Sequence, residues 1–190
     1  GNATVLINRL AKMKVFIDAT EDTIPANHMK DRYLVLRFVA FYMWQKGITK
    51  DVDTNEVLEY RSNLEDFLGK TMRFLNRLDS ENDLFKELEF RFAKAMELAS
   101  QLIPLGGFRL PSSPGKKRPI NMAFFESFSY LLSNLTGDKE LLNGKIKQAY
   151  MQLMHESQYL DTLTHSVDSG TQTDERYKII NQYISELNLC

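Results

Sequence analysis

The chain has 190 residues, an apolar fraction of 43% and 24 Lys and Arg against 25 Asp and Glu, so it is long enough for one substantial core and carries a net charge of −1. That balance excludes a global pull toward nucleic acid or anionic membrane, and any anion site must be local. The single cysteine, Cys190, excludes an internal disulfide and a multi-Cys metal site, and no apolar run approaches the roughly 20 residues of a membrane span. With no signal-like N-terminal segment, the expected compartment is the cytoplasm.

Apolar spacing is helical almost throughout. Thr4 is placed to cap a first helix carrying Leu6, Leu10, Met13 and Ile17 on one stripe, stopped by the "TEDTIPANH" break with Pro25. Asp31 or Asn27 is placed to cap a second, "YLVLRFVAFYMWQKG", which ends at Gly47. It is apolar on nearly every side, which predicts a central helix over Lys30 to Lys46 packed by neighbours all round. Its interior charge, Arg37, then requires a carboxylate or carbonyls, because an unpaired buried guanidinium is very costly.

Thr54 followed by Glu56 predicts a long third helix, relaxed at Gly69. Ser80 opens a fourth, with Leu84, Leu88, Phe92, Met96, Ala99 and Ile103 at helical steps up to Pro104. After a Pro/Gly/Ser loop, "NMAFFESFSYLLSNLTG" predicts an amphipathic fifth helix capped by Asn121. Asp138 opens a sixth running through "KELLNGKIKQAYMQLMHESQYLDTL", with Gly144 its weak point. The polar "THSVDSGTQT" is expected to be loop, and "DERYKIINQYISEL" a last helix with Tyr177, Ile180, Ile184 and Leu187 on one face. No sustained two-residue alternation marks a strand. The expected fold is all-α: one domain over 1–190, an irregular bundle of about seven helices around the central one, with the 104–120 loop the place for a layer division.

Catalytic signals are sparse. The three histidines are His28, His155 and His165, and "HESQY" has Tyr159 where a zinc helix needs its second His. There is no nucleophile elbow, and "GG" at 106–107 lacks a phosphate loop's strand–turn–helix context. Neither a metal nor a cofactor is expected. What remains is "GGFRLPSSPGKKRPIN", with Arg109, Lys116, Lys117 and Arg118 before Asn121 and the free N–H groups of the following helix, an arrangement that favours anions such as phosphate. The other reading is a solvated loop that collects cations for solubility. Without aromatic stacking partners the four supply only part of a nucleic-acid footprint.

Three stretches, "GNATVLINRLAKMKVFIDAT" leading to "HMKDRYLVLRFVAFYMW", then "GGFRLPSSPGKKRPINMAFFESFSYLL", then "TQTDERYKIINQYISEL", resemble in order the helical C-terminal half of the GmrSD-type N-terminal domain. That bacterial family includes modification-dependent restriction and phage-defence nucleases. The most specific pieces are Met29 to Tyr42 and "FR…RPIN", Phe108 to Asn121; His28 departs from the Arg expected before Met29. The resemblance implies a preceding ParB-like, sulfiredoxin-like half with a D-G-Q-Q-R motif, and often a later HNH nuclease domain. Neither motif occurs in this sequence, so the scaffold transfers and the reaction does not. It also marks Arg37 as a tie between the central helix and its neighbours. Arg109 and Asn121 become the frame of the loop, either as anion contacts or as structure: Asn121 a cap, Arg109 a bridge between the fourth and fifth helices.

The expected function is that of a non-catalytic helical module of a truncated or split GmrSD-like protein. It would support a nucleotide-handling ParB-like half, carried on a separate chain or an upstream segment, and would contact phosphate through the basic loop. The alternative is a stand-alone module that binds DNA weakly through the four loop cations, or a self-associating scaffold.

Overall fold

A computed structural model describes residues 1–24 and 29–189. The expected stop at Pro25 and cap at Asn27, together with His28 and Cys190, lie outside the described residues. Among those described are nine α-helices and no strand: α1 (Asn2–Ala11), α2 (Lys14–Ala19), α3 (Lys30–Gln45), α4 (Leu64–Arg77), α5 (Asp83–Ala99), α6 (Met122–Ser133), α7 (Lys139–Leu153), α8 (Ser157–Thr164) and α9 (Gly170–Asn188). None is long and apolar enough to cross a membrane.

The all-α bundle and its central helix are as expected. α3 buries Leu34, Val35, Arg37, Phe38, Val39, Ala40, Phe41, Tyr42 and Met43, side chains that point all round the axis, and it ends at Gln45, with Lys46 its C-cap before Gly47 at φ 64°. Such a helix needs cover on every side. α1, α4 and α6 supply it, and Tyr177 of α9 stacks on Phe41 at 5.5 Å.

α6 is a second central rod rather than an amphipathic helix. Every residue from Ala123 to Ser133 is buried, because α3, α5 and α9 all pack on it. Two of its three serines avoid the cost of burial by local bonds: Ser127 Oγ donates to Ala123 O at 2.7 Å and Ser133 Oγ to Tyr130 O at 2.8 Å, whereas the Oγ of Ser129 is buried without a partner among the described residues. One buried apolar cluster runs from Ala3 in α1 to Ile180 in α9, with members on both sides of the 104–120 loop.

Several boundaries differ from the sequence expectation, each for a local reason. The first helix begins at Asn2, leaving Thr4 exposed inside it, and breaks at Met13, whose backbone is extended (φ −63°, ψ 131°). The break turns Phe16 inward, 5.6 Å from Phe92 and 6.0 Å from Phe125, where a continuous helix would have presented Ile17. The left-handed Met29 precedes α3, and Asp31 sits in its first turn instead of at the cap.

Residues 54–63 are not helical. Thr54 Oγ1 accepts from Glu56 N–H at 3.3 Å within a turn, Leu58 N–H donates to Thr49 O at 2.8 Å, and Leu58 and Tyr60 are buried between exposed neighbours. Asn63 caps α4 by accepting from Asp66 N–H at 3.1 Å, and α4 then runs through Gly69 unbroken. Asn82 rather than Ser80 caps α5, accepting from Leu84 N–H at 3.0 Å. The expected sixth helix is two, α7 and α8, turned at Met154–Glu156 so that Tyr159 reaches the core. The last loop is shorter than expected, because Ser169 accepts from Gln172 N–H at 3.2 Å and starts α9 at Gly170.

Candidate functional site

The loop between α5 and α6 is pinned at its base and exposed at its tip, which Lys117 ties to Glu21. A 3₁₀ turn over Ser100–Leu105 follows α5, and Gly106 and Gly107 reverse the chain at φ 121° and 58°, values that favour glycine. Phe108 is buried 4.7 Å from Phe125, and its carbonyl accepts the Asn121 N–H at 2.9 Å, which closes the loop. Residues 111–119 are exposed throughout.

Asn121 acts as a structural residue on three sides. Its Oδ1 accepts the Phe124 N–H at 2.9 Å, as an N-cap should, and its Nδ2 donates to Leu163 O at 3.0 Å, fastening α6 to the end of α8. Arg109 does not bridge α5 and α6. It is 7% exposed and reaches the turn after α2, where Nη1 donates to Glu21 Oε2 and Nη2 to Thr23 Oγ1 at 2.8 Å. Lys117 Nζ meets the other oxygen of Glu21 at 2.9 Å. That hydrogen bond from Lys117 holds the Glu21 carboxyl below the usual carboxylate range, with Arg109 adding to the pull against partial burial. Lys116 and Arg118 are exposed and have no ion-pair partner among the described residues.

All four cations line one cleft of about 770 Å³, with Glu21 the only carboxylate in its wall among the described residues. Ile103, Leu105, Met151, Met154 and Leu160 supply the apolar part of its wall. Tyr150 stands at its back, its hydroxyl bonded to Gly107 O at 2.9 Å, and His155 lies at the rim, its Nδ1–H donating to Met151 O at 2.7 Å. On the other side of the loop a second cleft of about 630 Å³ shares Arg109, Lys117 and Arg118 and adds Lys30. Both volumes fall in the range of small-molecule sites. Four cations against one carboxylate give the first cleft a local positive potential that the overall charge does not reveal.

Arg37 lies in a separate buried cluster. Its Nε donates to Glu126 Oε2 at 2.5 Å and its Nη2 to Asp168 Oδ1 at 3.0 Å. Arg176, fully buried on α9, donates to Glu126 Oε1 at 3.3 Å, to Thr162 O at 2.7 Å and to Val167 O at 3.2 Å. Two guanidiniums and two carboxyl groups therefore meet and join α3, α6 and α9, and burial pushes the Glu126 carboxyl above the usual carboxylate range against the pull of Arg37 and Arg176. Burial alone would lower the Arg37 pKa; the adjacent Glu126, with Asp168, overrides it and raises it. Sequence reasoning supplied Arg37 but missed Glu126, Arg176 and Glu21. A lone carboxylate inside "AFFESFSYLL" was a readable signal for Glu126, matching the lone arginine inside "LVLRFVAFY".

Among the described residues no three His, Cys, Asp or Glu side chains group as metal ligands. No family model, curated protein or solved structure matches this chain.

Proposed function

We propose that this chain is a non-catalytic helical module of a GmrSD-like protein, one that supports a nucleotide-handling ParB-like half and offers phosphate a cationic cleft. The reading of the family rests on the three stretches quoted above. The reading of phosphate rests on one observation: Arg109, Lys116, Lys117 and Arg118 all line one cleft in which Glu21 is the only carboxylate among the described residues.

The test is binding of duplex DNA and of nucleotide across a salt series. Phosphate contacts on duplex DNA give a slope near −0.9 per contact in log affinity against log salt. Replacing all four cations by Ala is expected to abolish binding and its salt slope, and binding that survives unchanged defeats the phosphate reading. Hydrolysis of GTP or ATP, or cleavage of DNA, by the purified chain and lost on mutating its own residues would defeat the non-catalytic one. Self-association is the second reading. It is favoured by an apolar groove of about 280 Å³ between α1, α3 and α4, lined by Ile7, Met29, Tyr33, Leu36 and Met72. Sedimentation showing a monomer at every concentration counts against it.

A further inference from the structure

We infer that Glu21 is an internal stand-in for a ligand's terminal phosphate, and that a phosphate monoester takes the seat on Arg109 and Lys117 by displacing it. This rests on reading the cleft as a phosphate site.

The seat is built rather than incidental. Arg109 is almost wholly buried, is held from one side by Thr23 Oγ1, and its Nε is buried without any hydrogen-bond partner. Glu21 spreads its two oxygens over two cations, Oε2 on Arg109 and Oε1 on Lys117. One negative charge thus answers two positive ones, while Lys116 and Arg118 line the same cleft without a counter-ion among the described residues. A phosphate monoester brings up to two charges and three terminal oxygens. It can replace both Glu21 contacts and draw on the remaining donors, a match that arginine makes better than any other side chain.

Glu21 is also placed to leave. Its side chain is about a quarter exposed, and Glu21 and Asp22 are consecutive non-glycine residues in the left-handed region, at φ 55° and 51°, which L-residues occupy at a cost. Beyond the seat, the apolar wall of Ile103, Met151, Met154 and Leu160 suits the sugar and base of a nucleotide rather than a bare inorganic anion. A free nucleotide and a 5′-phosphorylated nucleic-acid end both carry such a monoester, and the two present the same chemistry to Arg109 and Lys117.

The experiment is calorimetric titration of the wild type, Glu21→Gln and Arg109→Ala with AMP, adenosine, and a 12-mer single strand with and without a 5′-phosphate. A site occupied by its own side chain binds more weakly in proportion to the fraction open. If the seat is open about one-tenth of the time, Glu21→Gln tightens the binding of AMP or of the phosphorylated strand about tenfold. Adenosine does not bind, the unphosphorylated strand binds more weakly than the phosphorylated one and gains nothing from Glu21→Gln, and Arg109→Ala loses binding of the phosphorylated probes. Whichever phosphorylated probe binds more tightly identifies the source. If the wild type binds phosphate through Arg109 and Glu21→Gln binds no better, the role of Glu21 is refuted and the cleft reading stands. If no phosphorylated probe binds to either protein, both fall. In the unsubstituted protein, phosphate should move the NMR signals of the Arg109 Nε–H and the Glu21 side chain together. A Glu21 signal that stays in place while Arg109 shifts also refutes the displacement.

Discussion

Removing Glu126 should strand two charges at once. Arg37 and Arg176, at 3% and 0% exposure, both donate to this carboxylate. In Glu126→Ala, Arg37 keeps the half-exposed Asp168 and the face of the Tyr33 ring at 5.9 Å, and Arg176 keeps the carbonyls of Thr162 and Val167 with no carboxylate in hydrogen-bond reach. Breaking a buried pair from one side costs about 3–5 kcal/mol. With a urea slope of about 3 kcal/mol per M for a chain of this size, the unfolding midpoint should fall by about 1–1.7 M. Replacing the cluster together, as Arg37→Met, Glu126→Leu and Arg176→Met, should leave stability within about 1 kcal/mol of the wild type or raise it, since no charge is then left buried without a partner. Urea denaturation followed by circular dichroism measures both. A single variant that loses less than about 1 kcal/mol, or a triple variant as damaged as the single one, would show that the stranded charge is not what matters.

Two further outcomes follow from the caps and the buried phenols. Asn121→Ala removes both the α6 cap and the tie to Leu163, and should cost about 1–2 kcal/mol, read as a thermal midpoint lower by about 3–6 °C, whereas Asn121→Asp keeps the cap and loses less. Burial pushes Tyr60, Tyr130, Tyr150 and Tyr183 up to about 12. Their folded pKa values lie above the unfolded value of 10.0, so the stability they protect is complete below pH 10 and is lost as pH rises from 10 toward 12. An alkaline absorbance titration should show these phenolates appearing late and together with the loss of near-ultraviolet dichroism. Full ionisation near pH 10 in a chain that keeps its native dichroism would contradict the burial.

How legible each element was depended on whether its cause was local. The start and end of α3 and its unbroken apolar surface are properties of residues 30–47, and the Asn121 cap is a property of three residues, so both could be read from the chain. Arg37 announced its need for a partner but not which one, because Glu126 and Asp168 lie 89 and 131 positions away. The breaks at Met13 and Met154 carry no glycine or proline. They exist because Phe16 and Tyr159 gain more by entering the core than the backbone gains by continuing, a tertiary cause invisible to spacing. Thr54 and Glu56 imitate a helix start, yet Thr54 serves a turn, while Leu58 and Tyr60 bury alternate side chains of an extended segment. The cations of the cleft were visible one by one. Their gathering around Glu21 was not, since Glu21 comes from a turn 88 positions before Arg109.

Because the exposed tip at 111–119 hangs from a base closed by Phe108 and Asn121, covalent continuity there is mechanically idle. A protease that severs the backbone beside Lys116 or Lys117 would leave α6 clasped between α3 and α5. The nicked molecule would still migrate as one particle until denaturant separated its two fragments, and those fragments, made separately, are the natural halves for reconstituting the domain from two pieces.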